Sequence, residues 1–349
     1  MKKTSLKDLA HYLGLSQTTV SRGLAGYPEV TNATKKRIQD AATLLNYAPS
    51  SSAQKLAMGR SFTIGHIVAL SDHITINPLY ADFIAGAGET YAAHGYDMLL
   101  SMVSKDKELD TYRNLTNAHK VDGFILSEPV PHDPRIDLLQ QLKVPFVVHG
   151  RAHEGSEDPA PYAWLDVNNK QGFWRATRHL LSLGHRDIAL INGRESFNFA
   201  IQRRRGFEAA MTETGTPINH AWMIATDMSE QAGFESATSL LSSKNTPTAI
   251  ICSSFLVALG IQRAAGQKGL KLGRDISVVC WDDCLSGFHE TAKEPLFTAM
   301  QSSIFSAGAM IAEMVIEQIA QPAPLIKTKL LEAELVKGAS CADVHNTRL

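Results

Sequence analysis

The sequence predicts an α/β protein in two unlike parts: a small all-α helix-turn-helix head, then a two-lobed body built on parallel sheets. Three observations carry this. The first fifty residues place apolar side chains at helical spacing in three short runs, and from Phe62 onward β-branched runs alternate with amphipathic stretches. Charge divides at the same point. The whole chain of 349 residues carries a formal charge of -1, yet residues 1 to 60 hold nine Lys/Arg against Asp8, Glu29 and Asp40, a net +6 that leaves -7 for the remainder. A chain this long exceeds one hydrophobic core, and 44% hydrophobic residues exclude disorder.

In the head, Ser5 is a candidate N-cap with Asp8 three residues on, and Leu6, Leu9, Ala10 and Leu13 follow at helical spacing, predicting a helix from Leu6 to Leu13. Gly14 ends it. Ser16 is placed to cap a second helix from Gln17 to Leu24, stopped by Gly26, with Val20 and Leu24 inward and Gln17, Thr18 and Arg22 outward. After Pro28, "TNATKKRIQDAATLLNY" supplies capping hydroxyls and an Ile38, Ala41, Ala42, Leu45 stripe for a third helix.

Two helices joined by so short a turn, the second polar, form a motif whose second helix enters the major groove of DNA. Gln17, Thr18 and Arg22 then stand where base edges come within reach, Gln suiting adenine and Arg guanine. Ser16, Thr19, Ser21 and Asn46 suit phosphate contacts, which position without specifying. The basic head agrees, because phosphate neutralisation drives such binding. Spacing alone also fits a solvated helix in any small bundle.

The body reads as "FTIGHIVAL", "GYDMLLSMV", "VDGFILS", "VPFVVHG", "AWLDV", "RDIALING", "TAIICSS", "ISVVCWD" and "LFTAM", nine strand candidates separated by helical segments. Parallel sheets with helices on both faces follow, and two sets fit two lobes. The switch between them is expected near "PAPYAWLDVNN", with recrossings at "KEPLFTAMQS" and near Lys327 to Glu334.

Residues 5 to 60 resemble the DNA-binding head of the lactose-repressor (LacI/GalR) family through "LKDLA", "LSQTTVSR", "YPEVT", Asn46-Tyr47 with Pro49, and "SSAQKL". The resemblance implies a hinge that folds on the operator, with Leu56 wedged into the minor groove and Ser52 and Lys55 beside it. It divides the chain into a head (1–49), a hinge (50–61) and an effector-binding and dimerisation body (62–349). Lobe one is then about 62–162 and 292–325, lobe two about 163–291 and 326–340. Two departures stand in the head: Ser50 where Asn is usual, and Gly23 in the second helix, expected to loosen its last turn by about 1 kcal/mol.

The body resembles the periplasmic-binding-protein-like body of the same family, which implies a small molecule, by default a sugar, held between the lobes at the carboxyl ends of the strands. "RRRGF" carries the family's R-x-x-G-F spacing and singles out Arg203, whose planar fork suits adjacent hydroxyls or a carboxylate. Asp282 stands where the family accepts ligand hydroxyls, and Trp281 is placed to stack on a sugar face. Tyr80 either walls the pocket or packs its helix; His149 and Arg151 either touch ligand or form a loop salt bridge. Asp72, Met228 and Ser254 complete the expected contact set. Ser254-Phe255 replaces the family's Asn-Asp pair and Cys280 its usual Gly, so no particular sugar carries over. Asp166 and Asn168 are expected to order the lobe crossover.

Catalytic motifs do not assemble: "GAGETYAAHG" lacks a third glycine and falls in a helical pattern, and no P-loop, G-x-S-x-G or H-E-x-x-H occurs. His185 is expected to be structural. The cysteines (Cys252, Cys280, Cys284, Cys341) include one C-x3-C pair without a second ligand pair, so reduced core thiols are expected, and no metal or cofactor. No signal-like core or membrane-length apolar run appears. The expectation is a cytoplasmic, nucleoid-associated, effector-controlled regulator, acting as a homodimer on pseudo-palindromic double-stranded operator DNA. The alternative is a solute-binding receptor of a transport or sensing system.

Overall fold

The computed structural model describes residues 4–24, 26–47, 59–70, 78–152, 162–282, 284, 295–321 and 326–344. Two units separate, residues 1–61 and 62–349. In the first, α1 (Leu6–Leu13) begins with the predicted capping box: the Ser5 side chain accepts from the Asp8 amide and the Asp8 carboxylate accepts from the Ser5 amide. Gly14 ends it in the left-handed region at φ 66°. Ser16 Oγ accepts from the Thr19 amide at 3.0 Å to start α2 (Gln17–Leu24), and Thr31 caps α3 (Asn32–Leu44).

Leu9, Leu13, Val20, Val30 and Ile38 make the core of this unit. Gly23 does more than loosen α2. It is buried in that helix, and a Cβ there would overlap Cδ1 of Ile38, so the missing side chain lets α2 lie against α3.

The second unit opens with β1 (Thr63–Leu70), α4 (Pro78–Ala93), β2 (Asp97–Ser104), α5 (Glu108–Asn117), β3 (Gly123–Ser127), α6 (Pro134–Gln141), β4 (Phe146–His149) and β5 (Ala163–Val167). It continues through α7 (Asn169–Ser182), β6 (Ile188–Asn192), α8 (Asn198–Glu213), β7 (Met223–Ala225), α9 (Glu230–Ser242), β8 (Ala249–Cys252), α10 (Phe255–Gln267) and β9 (Ser277–Asp282). The last elements are β10 (Thr298–Gln301), α11 (Ile304–Ala320), β11 (Thr328–Leu331) and β12 (Glu334–Val336).

Sheet one runs β11-β5-β4-β3-β1-β2 with every pair parallel. Sheet two runs β12-β10-β9-β8-β6-β7, parallel except where β12 pairs antiparallel with β10. Strands β6, β8 and β9 are buried along their whole length, as β-branched runs covered on both faces must be. On sheet one, α4 and α11 approach closely because Gly86 faces the carbonyl of Phe305 and Gly308 that of Phe83; a Cβ at either would collide with backbone.

Lobe membership differs from the sequence reading. β5, expected in lobe two, pairs with β4 in sheet one, and β11 joins it there. β10, expected in lobe one, pairs with β9 in sheet two. The chain therefore crosses at 168, 302–303 and 332–333. An apolar run announces a strand, but its hydrogen-bond partner lies far along the sequence, so the run cannot disclose its sheet.

His185 is structural, as expected: Nδ1 meets Thr248 Oγ1 at 2.9 Å, and Nε2 lies 3.0 Å from Ser277 Oγ and 3.1 Å from the Ala342 carbonyl, pinning the final segment to sheet two. All four cysteines are free thiols, with Cys252 and Cys280 buried. Among the described residues no helix is long and apolar enough to cross a membrane.

Candidate functional site

On the head, Gln17, Thr18, Ser21 and Arg22 are exposed along α2, while Val20 and Gly23 turn inward. This is the division a groove-reading helix needs, because the side chains that would meet bases carry none of the packing. Ser16 and Thr19 are paired through their hydroxyls at 2.8 Å, so the cap also orients both. Asn46 has φ 47° and ends α3 in the left-handed region that Asn tolerates, leaving its side chain exposed. Ser52, Lys55 and Leu56 lie outside the described residues, as does Asp72.

In the body, the three crossovers fix which edges face. The chain leaves sheet one at the carboxyl end of β5 to enter lobe two, leaves sheet two at the carboxyl end of β10 to form α11, and passes from the end of β11 into β12. The carboxyl edges of the two sheets thus look toward each other. The crossovers are tied: Asn168 caps α7 by accepting from the Gln171 amide, and its amide donates to Glu332 Oε1 at 2.8 Å. A further bond joins the lobes where Asn198 Nδ2 donates to the Arg151 carbonyl at 2.7 Å.

Arg203 is the centre of the lobe-two edge. It is only 6% exposed, donating from Nε to Asn169 Oδ1 at 2.8 Å and from Nη1 to the Ser253 carbonyl at 2.7 Å. Its guanidinium carbon lies 4.2 Å from the Trp281 ring centre, 5.0 Å from Phe199 and 5.3 Å from Phe173. A cation boxed by three rings and two acceptors holds one orientation, which is what a fork of donors needs to read a ligand.

Several expectations are corrected here. Trp281 is 2% exposed, packed on Phe173 and Gly172, and gives its face to Arg203 rather than to a ligand. Ser254 is buried and caps α10, accepting from the Val257 amide at 3.2 Å. Met228 packs half-buried against the lobe-two core. Asp282 does stand at the carboxyl end of β9, with Oδ1 accepting from the Cys284 amide and Oδ2 from Gln301 Nε2, each at 2.9 Å. Asn169 and Gln301, which orient Arg203 and Asp282, were not singled out from the sequence: an amide's role depends on a partner that sequence spacing does not reveal.

Lobe one contributes rings. Tyr80 stacks on Phe83 at 6.1 Å between centroids, and Phe83 on His149 at 4.5 Å, bringing the start of α4 to the end of β4. Burial pushes the Tyr80 phenol up, and the nearby Glu128 charge adds to this. Arg151 forms the salt bridge rather than a free contact, with Nε 2.7 Å from Asp166 Oδ2 and its guanidinium over Trp164. Asp166 also accepts from the Val167 amide, ordering the crossover as expected.

Beneath the stack, His66 is 1% exposed and bonded through Nε2 to the Tyr91 hydroxyl at 2.9 Å, and burial lowers its pKa to about 4. In the unfolded chain the same imidazole takes a proton near pH 6.5. As pH falls below that value the unfolded state binds a proton that the folded state refuses, so stability declines down to about pH 4. The loss expected from this residue is about 3 kcal/mol. His66→Phe should flatten that part of a pH series of denaturant melts; an unaltered slope would contradict the assignment.

A helix-turn-helix unit followed by two lobes of parallel sheet with facing carboxyl edges defines a DNA-binding head on a two-lobed binding body. Residues 5–50 match the model of bacterial regulatory proteins of the lacI family, and residues 61–335 that of periplasmic binding proteins and the sugar-binding domain of the LacI family. The chain belongs to the LacI family and is a transcriptional regulator, not an enzyme. It is 39% identical over 337 residues to the HTH-type transcriptional regulator AglR of Rhizobium meliloti, spanning 96% of this chain and 94% of the relative. With the HTH-type transcriptional repressor PurR of Glaesserella parasuis the identity is 31%, over 98% and 99%. The solved structure of the lac repressor dimer bound to operator and the anti-inducer ONPF superposes with TM-score 0.82 at 26% identity, covering 98% of this chain and all of that one.

Proposed function

We propose that this regulator is a cytoplasmic, nucleoid-associated repressor that binds a pseudo-palindromic operator as a homodimer and is switched by a sugar or sugar derivative held between its lobes. The observation that carries the reading is one chain's pairing of exposed base-reading side chains on α2 with a boxed Arg203 guanidinium at facing sheet edges. Arg203 and Asp282 would contact the effector from lobe two, Tyr80 and His149 from lobe one. The dimeric lac repressor structure supports two copies, and so does the edge strand β2, which exposes Leu100 and Met102. Effector binding would change operator affinity through a coupling of about 1 to 3 kcal/mol, and operator would change effector affinity by the same factor.

Enrichment of a random duplex pool on the full-length protein tests the reading. Wild type should select a symmetric site, and Arg22→Ala should relax base preference at one symmetric position at a cost of about 1 to 3 kcal/mol. A uniform loss over all sequences would reassign Arg22 to phosphate, and a wild type that selects no sequence would sink the reading.

A further inference from the structure

Glu128 follows β3 directly, at the carboxyl edge of sheet one, and its neighbour Ser127 is in register with His149 on β4. It adopts φ 53°, a left-handed conformation uncommon for a residue with a Cβ. Its backbone is held there by Arg135, whose Nη2 donates to the Glu128 carbonyl at 3.0 Å. The same guanidinium donates through Nε to Asp133 Oδ1 at 2.9 Å and through Nη1 to Glu108 Oε1 at 2.8 Å. Arg135 is thereby committed to two other carboxylates, and among the described residues the Glu128 carboxylate holds no hydrogen bond or ion pair.

Glu128 is an exposed residue, yet desolvation by the surrounding protein raises its pKa, opposed by Arg135 and reinforced by Glu108. The Ser127 to His149 register sets Glu128 next to the end of β4, where His149 stacks on Phe83 and Phe83 on Tyr80, and its charge helps raise the Tyr80 phenol.

Building on the effector reading above, we propose that Glu128 is the charge filter of the cleft: its carboxylate accepts hydrogen bonds from the hydroxyls of a neutral sugar and turns away sugar phosphates and sugar acids. An ionised carboxylate only accepts, so it matches hydroxyl donors and opposes any anion in a low-dielectric recess. The adjacent rings offer apolar faces for the C–H side of a pyranose. Across the cleft Asp282 adds a second acceptor, while Arg203 already donates from Nε to Asn169 and from Nη1 to the Ser253 carbonyl. Discrimination by an unpaired like charge acts against the wrong ligand as much as it favours the right one.

The test is calorimetric titration and thermal shift of the full-length protein with maltose, cellobiose, melibiose and sucrose against glucose 6-phosphate and glucuronate. Wild type should bind at least one neutral sugar and neither anion. Glu128→Gln should weaken the neutral sugar about tenfold, the scale of a charged hydrogen bond, and Glu128→Lys should gain an anion. Anion binding by wild type, or an unchanged selectivity in both variants, would overturn the inference while leaving the sugar-effector reading intact. A wild type that binds no sugar of either charge would instead overturn that reading and this inference with it.

Discussion

Replacing Arg203 by alanine is expected to remove the effector response while operator affinity stays within about threefold of wild type. The guanidinium links α7 through Asn169, the end of β8 through the Ser253 carbonyl, and β9 through the Trp281 face. Truncating a buried, hydrogen-bonded charge of this kind costs about 2 to 5 kcal/mol in binding, so effector affinity should fall about thirtyfold or more. Arg203→Lys separates reading from packing: it keeps the charge but loses the planar fork, and should bind weakly while melting close to wild type. Anisotropy of labelled operator, titrated with whichever neutral sugar stabilises the wild type, reads both properties. An unchanged dose-response curve in Arg203→Ala would refute the role.

The second large effect is on the fold. Gly308→Ala places a methyl group against the Phe83 carbonyl, backbone against backbone, where no rotamer change relieves it. Helices α4 and α11 must separate, at about 3 kcal/mol for overpacking. The shift also moves Phe83, and with it the stack that joins Tyr80 to His149, so effector binding should weaken together with the denaturation midpoint. Gly266→Ala is the control, because it lies in α10 with nothing near its absent Cβ. It should raise stability by about 1 kcal/mol through helix propensity. Equal effects from the two substitutions would show that the α4 and α11 contact is looser than described.

Much of this architecture was legible in order along the chain. Helices α1 and α2 begin and end where their caps and glycines predict, because those signals are local. Nine of the ten body strands of four or more residues appear for the same reason: each is an apolar run bounded by turns. The three-residue strands β7 and β12 are too short to show a period, and β11, Thr-Lys-Leu-Leu, neither alternates nor forms an apolar run. The R-x-x-G-F spacing marks Arg203, but the sequence shows Trp281 only as an aromatic beside an acid and does not reveal which sheet face its ring takes, here the one toward Arg203. Glu128 carried no motif at all. Only its left-handed backbone, and the diversion of Arg135 to other carboxylates, make it conspicuous.

The triple crossing of the chain has a consequence for how the molecule is made. Sheet one is incomplete until Thr328–Leu331 joins β5, and sheet two lacks an edge until Glu334–Val336 joins β10. Neither lobe is a continuous piece of chain, so during synthesis both wait for residues 328–336 to leave the ribosome and then mature together. The head, with a core drawn wholly from its own first fifty residues, has no such wait. A nascent chain can thus carry a finished DNA-reading unit before the body that would govern it exists, and chains cut short before residue 328 would be both misfolded in the body and free of effector control.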